Sequence, residues 1–213
     1  FRRVLFRSNK FLGLDGVILF TAIVIGISLT LTFQMALRIS RSLLTAFLLA
    51  LLAASATSLH WLPRPHIMTF LFLSIWLGKL EELRKHEIHA ITSFPLIMLV
   101  WANTHGGFVF GFLSLAAYIA GWIWDFLRKN HDFALGKRLA FATSASLVAS
   151  IITPGLWHNW EAVLNNRSAF ILNRTVETLP PYLLDVTFLP FVMLLGFSIA
   201  FAFFNRRNLA ASH

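Results

Sequence analysis

Runs of about 20 apolar residues recur along this chain, the length a helix needs to cross a hydrocarbon core of roughly 30 Å at 1.5 Å per residue. The consequence is severe, because a bilayer offers no water to peptide groups and so admits only helices or closed barrels. No segment alternates apolar and polar residues with the period of two that a barrel strand shows, so helices remain. Composition agrees: 57% of the 213 residues are hydrophobic and 13% charged, with 22 Phe and 7 Trp, outside the range of ordinary soluble domains. The expected fold is therefore all-α, a polytopic transmembrane bundle of about seven membrane spans plus one interfacial amphipathic helix.

The spans are expected over residues 14–33, 43–60, 67–80, 91–101, 108–126, 139–153 and 183–204. The fourth is short and carries Pro95, which membrane helices tolerate where neighbours satisfy the released carbonyl. Between Pro154 and Tyr182 the pattern changes: Trp157, Trp160, Val163 and Leu164 fall near helical spacing among polar residues, which predicts the interfacial helix. The chain opens without Met on a basic stretch unlike the rest, so residues 1–10 are expected to be an artefactual or truncated start. Residues 11–213 then form one transmembrane domain, a fragment of a larger protein.

In a soluble protein the net charge of +9 would point to nucleic acid, but here the basic residues sit in short clusters between apolar runs, where they act as topology signals. No nucleic-acid partner is expected; membrane lipid is. Eleven Lys and Arg follow the odd-numbered spans (Arg38 and Arg41; Lys79, Arg84 and Lys85; Arg128, Lys129, Lys137 and Arg138; Arg206 and Arg207). The even-numbered spans are followed by three, Arg64, Arg167 and Arg174, while Arg2, Arg3, Arg7 and Lys10, which precede the first span on the outer side and run against this pattern, are set aside with the expected artefactual start. Positive charge collects on the cytoplasmic side, so the ends of the even-numbered spans face outward. Cysteine is absent, which excludes disulfides, thiolate metal sites and Cys nucleophiles.

The unusual polar sequence lies on that outward side. His60-Trp61-Leu62-Pro63-Arg64-Pro65-His66 is a proline-stiffened turn whose Arg64 offers forked donors suited to phosphate or carboxylate; a snorkelling Arg beside an anchoring Trp61 would have the same composition. In Trp101-Ala102-Asn103-Thr104-His105-Gly106-Gly107, polar groups end an apolar helix, where they need partners, and the glycine pair permits close backbone or ligand approach. Trp157, His158, Asn159, Trp160 and Glu161, with Arg167, Arg174 and Glu177 beyond, suit anchoring of the helix first, and a lipid headgroup or acyl chain second. His60, His66 and His105 share a side but match no metal-ligand spacing, so no metal ligand is assigned. Asp15 reads as a helix N-terminal acid. Asn166-Arg167-Ser168 and Asn173-Arg174-Thr175 match the glycosylation sequon, which has meaning only in a eukaryotic secretory pathway. Walker, GxSxG, HExxH and GxGxxG motifs are absent.

Arg64-Pro65-His66, then a Phe/Leu-rich run, then Trp101-Ala102-Asn103-Thr104-His105-Gly106-Gly107-Phe108 and Gly111 resembles a group of bacterial membrane proteins related to the C-type, mannosyltransferase-like glycosyltransferases. Thr153-Pro154-Gly155 and Glu177 match that group's later turn and acid only loosely. The resemblance implies sugar transfer from a polyprenyl-phosphate donor at the outer face of a bacterial inner membrane, often with a divalent cation. It also implies that the usual catalytic acid, in the first outer loop, precedes this chain. Under it Arg64 would neutralise the donor phosphate and His66 or His105 would assist. His60, Trp101, Asn103, Thr104, Gly106, Gly107, Trp157, Trp160 and Glu177 would shape the substrate pocket. A transporter or flippase for a lipid-linked or anionic solute would instead place ionisable groups near mid-membrane and show inverted repeats, and neither is visible. A non-catalytic subunit of an envelope assembly is the third reading.

Overall fold

A computed structural model describes residues 2–85, 91–128, 132–165 and 186–204. Those residues are helical, with no strand among them. The α-helices are α1 (Arg2–Ser40), α2 (Leu43–Thr57), α3 (Ile67–Arg84), α4 (Ser93–Thr104), α5 (Val109–Leu127), α6 (Phe133–Ile151), α7 (His158–Asn165) and α8 (Leu189–Phe204). Short 3-10 turns at Ser58–His60, Gly106–Phe108 and Val186–Phe188 extend α2 and lead into α5 and α8.

Three stretches are long and apolar enough to cross a membrane: Gly13–Ser40, Leu43–His60 and Gly106–Leu127. At Gly13 the backbone leaves helical geometry (φ 63°, ψ −155°), a region open to glycine at little cost. Asp15 thus falls in the first turn of the apolar part of α1, where an acid complements the helix dipole. α2 keeps Ala46 buried and turns Leu44, Phe47, Leu48 and Leu51 outward. Such an apolar exterior is what lipid, rather than water, tolerates. Of the other expected spans, α3 and α6 are long enough but carry charge or small polar residues, and α4 has twelve residues, about 18 Å of helix. Pro95 also finds a local explanation: it lies in the first turn of α4, where its missing N–H would have no intrahelical partner in any case.

α4 is the core. Phe94, Met98, Trp101 and Ala102 are all buried, packed between α3 and α6. Trp76 of α3 meets Phe94 edge-on, with centroids 4.8 Å apart and planes at 88°, and lies 6.1 Å from Trp101. Its indole N–H donates to the Gly111 carbonyl at 3.1 Å. A Cβ at Gly111 would stand 3.1 Å from both Met98 Cε and Trp101 Cζ3, so the missing side chain is what lets α5 approach. From α6, Ala142, Ser146, Ala149 and Ser150 form a buried stripe of small residues, the pattern by which membrane helices bring their backbones close. The α6 N-terminus is capped by Asp132, whose carboxylate accepts from the Leu135 N–H at 2.9 Å.

Candidate functional site

The site grows from the first turn of α3. Arg64 lies in the tight turn before it, with its N–H donating to the Leu62 carbonyl at 2.7 Å. The carbonyls of Arg64, Pro65 and His66 then accept from Ile67, Met68 and Thr69, so the Arg-Pro-His turn feeds directly into the helix. Arg64 is exposed and His66 half-buried. His66 Nε2 lies 2.6 Å from the His60 carbonyl, which can only accept, so that nitrogen carries the proton. The two imidazoles meet edge-on at 5.9 Å.

Thr69, a polar residue in an otherwise apolar helix, joins this turn to the one after α4. Its hydroxyl lies 2.8 Å from His105 Nδ1 and receives the Trp101 indole N–H at 3.4 Å. The Gly107 backbone N–H donates to the same His105 nitrogen at 3.0 Å. A ring nitrogen that accepts from a backbone amide holds no proton, so Thr69 donates to it and the neutral imidazole carries its proton on Nε2. Protonating Nδ1 would set two donors against each other. Burial also holds the His105 pKa below its ordinary value, and the neighbouring His66 lowers it further. His105 is therefore a neutral hydrogen-bond donor through Nε2.

Gly107 is required by this arrangement. A Cβ there would collide with the Thr69 hydroxyl and stand 2.8 Å from Thr69 Cγ2 and 2.9 Å from His105 Nδ1. His105 itself is extended (φ −157°, ψ 144°) and caps the 3-10 turn that follows.

The other residues of the Trp101–Gly107 turn are engaged in holding it. Asn103 donates through Nδ2 to the Leu99 carbonyl at 2.7 Å and to the Ile152 carbonyl at 3.0 Å, tying α4 to the end of α6. The Thr104 hydroxyl donates to the Trp101 carbonyl at 2.8 Å. Trp101 is fully buried and belongs to the core.

α7 closes the group. Asn159 donates to the Ala102 carbonyl at 3.3 Å and to the Thr153 hydroxyl at 3.1 Å, and the Trp160 indole donates to Ser150 at 3.0 Å. The Trp160 ring packs edge-on against Phe108 at 5.1 Å and tilted against Phe112 at 5.2 Å. This half of the expected interfacial helix thus faces the bundle. Trp157 is exposed and donates to Glu161 at 3.0 Å, while His158 Nδ1 sits 2.7 Å from the other carboxylate oxygen. That His158 hydrogen bond holds the Glu161 carboxyl below its usual range.

Between these elements lies an open hollow of about 440 Å³, lined by Asn103, Thr104, His105, Gly106, Phe108 and Asn159, with Val163 at its edge. Of the sequence-predicted residues, the structure joins His105 and Trp101 through Thr69, ties Gly107 to His105, and sets Asn103, Thr104 and Gly106 around the hollow. Arg64, His60 and His66 form the adjoining turn. Trp157 stands apart with Glu161, and Glu177 lies outside the described residues. Thr69 and Ser150 were not legible as site residues; each is a hydroxyl in a helix whose spacing gives no sign of the distant partners the fold brings to it. Among the described residues no group of three or more His, Asp or Glu is placed to hold a metal ion. No family model, characterised protein or solved structure matches this chain.

Proposed function

We propose that this chain is a multi-pass protein of a bacterial inner membrane, crossing about seven times, and part of a glycosyltransferase that uses a polyprenyl-phosphate sugar at the outer face. The observation that carries the reading is the Thr69–His105 hydrogen bond. It links the Arg64-Pro65-His66 turn to the Trp101–Gly107 turn, the two motifs on which the resemblance to C-type glycosyltransferases rests. The alternation of Lys and Arg between loops supports the span count and an outward position for both turns.

In this reading the Arg64 guanidinium offsets the negative charge of the donor phosphate. The His105 Nε2–H supplies a directed hydrogen bond from a ring already fixed in one tautomer. Asn103 and Asn159 hold the walls of the hollow and leave the chemistry to others.

The test is sugar transfer from a labelled polyprenyl-phosphate donor by membranes containing the complete protein. Arg64→Ala and His105→Ala are each expected to lower kcat/KM by about a hundredfold, as for loss of one charge-stabilising donor. Undiminished transfer in both variants would remove the two residues from the mechanism. Absence of transfer by the unaltered protein across a panel of polyprenyl-phosphate sugars would overturn the function itself.

A further inference from the structure

At the opposite end of the bundle, where the basic residues of α1 and α3 gather, a second hollow of about 240 Å³ opens between these helices. Its polar wall holds Gln34, Arg38, Lys79, Glu81, Glu82 and Lys85. The two acids are already occupied. Glu82 takes Lys79 at 2.6 Å, and Glu81 takes both Arg84 Nε at 3.0 Å and Arg84 Nη2 at 2.7 Å, with Lys85 at 3.8 Å. Arg38 makes no ion pair with any of the described residues. One guanidinium therefore remains uncompensated, and Gln34, four residues earlier, lies on the same face of α1.

A third hollow, about 200 Å³ and mainly apolar, runs between α1, α2 and α3 towards the outer face, lined by Ile25, Leu29, Phe70, Leu73 and Leu77, with Trp61 at its far end. The polar and apolar hollows share Met35 and Ser74 in their walls. Near that junction the Ser74 and Thr32 hydroxyls face each other at 3.3 Å, and with one proton each, one donates across the helix pair while the other donates to its own helix, Ser74 to the Phe70 carbonyl or Thr32 to the Ser28 carbonyl. They pin α1 to α3 without presenting an unsatisfied polar group to the crevice. A polar chamber with one unmatched cation, opening beside an apolar groove walled by α1, α2 and α3, has the shape and polarity of an anionic amphiphile.

We propose that the α1–α3 cleft binds one anionic phospholipid, its phosphodiester against Arg38 and Gln34 and one acyl chain in the groove between α1, α2 and α3. Basic pockets between membrane helices take acidic headgroups by this combination of charge and apolar contact. The site lies at the other face from the proposed transferase pocket and stands independently of it. It couples α1 to α3, the helix that carries Thr69, so an occupied cleft would stiffen the support of His105.

The structure supplies its own blocking variant. Gly78 lines the polar chamber, and a Cβ built there has nothing within 4 Å, so a substitution there starts from open space beside the chamber. The experiment is native mass spectrometry of the full chain, delipidated in detergent and titrated with phosphatidylglycerol or phosphatidylcholine. The unaltered protein is expected to retain one phosphatidylglycerol several-fold better than phosphatidylcholine. Arg38→Gln should weaken that retention about fivefold, the effect of one cation near a lipid headgroup. Gly78→Leu should abolish it, while Gly78→Ala leaves it in place. Equal retention of the two lipids by the unaltered protein, or retention of phosphatidylglycerol unchanged in both Arg38→Gln and Gly78→Leu, would overturn the proposal.

Discussion

Replacing Gly107 with alanine tests whether the turn after α4 is built as tightly as it looks. The added methyl would occupy the space of the Thr69 hydroxyl and crowd Thr69 Cγ2 and His105 Nδ1. Thr69 is only 8% exposed and sits on a helix, so it cannot swing aside without moving into packed neighbours. Overpacking of this kind costs about 1–3 kcal/mol. Displacing the Thr69–His105 hydrogen bond adds about 1 kcal/mol, and the lower chain entropy of alanine returns about 0.5–1 kcal/mol. The net expectation is a loss of about 1–3.5 kcal/mol, which for a chain of this size lowers the unfolding midpoint by about 2–14 °C. Gly78→Ala is the control: it sits inside α3 with nothing near its Cβ, and should stabilise by about 0.5–1 kcal/mol. The assay is thermal unfolding of purified protein in one detergent, followed by intrinsic tryptophan fluorescence. The Gly107→Ala, Thr69→Ala double variant should recover part of the loss, because it removes two of the three colliding atoms. Equal midpoints for Gly107→Ala and Gly78→Ala would refute the reasoning.

Three further outcomes follow from the same geometry. Asn103→Ala should lower stability by about 1–2 kcal/mol in the same assay, since it leaves the Ile152 carbonyl at the end of α6 without its side-chain donor. Ser146 is fully buried and its hydroxyl has no partner among the described residues, so Ser146→Ala should be neutral or stabilising by about 1 kcal/mol, whereas Ser146→Leu should force α4 and α6 apart. The pKa of His105 is lower folded than unfolded, so the unfolded chain binds more protons and stability falls as pH drops below about 6.5, until the folded ring itself protonates. Midpoints measured from pH 8 to pH 5 should therefore fall less steeply in His105→Gln than in the unaltered protein.

Legibility differed between the fold and the site for a physical reason. Helical class could be read directly, because apolar runs of bilayer length leave the backbone one inexpensive way to satisfy itself. The same runs could not say which helix is central. α4 is the shortest of the helices that build the core, yet it packs between α3 and α6, and only that packing reveals that Trp101 is a fully buried core residue. Asn103 looked like a binding residue because an amide at the end of an apolar helix needs partners. The partners turned out to be carbonyls of Leu99 and Ile152, the second 49 positions away. Trp157 and Trp160, three residues apart, read alike in sequence; the fold turns Trp160 onto Phe108 and Ser150 and leaves Trp157 outside.

The sequence by itself determined the solvent, the helical class and the location of the unusual polar residues, because these depend on local composition and on period. Tertiary structure alone decided that His105 is neutral with its proton on Nε2. That state depends on a hydroxyl from Thr69, 36 positions earlier, and on a backbone N–H that reaches the ring only because residue 107 has no side chain. Hydrogen-bond geometry of this kind depends on distances of a few tenths of an ångström between distant segments, and no spacing along a chain encodes them.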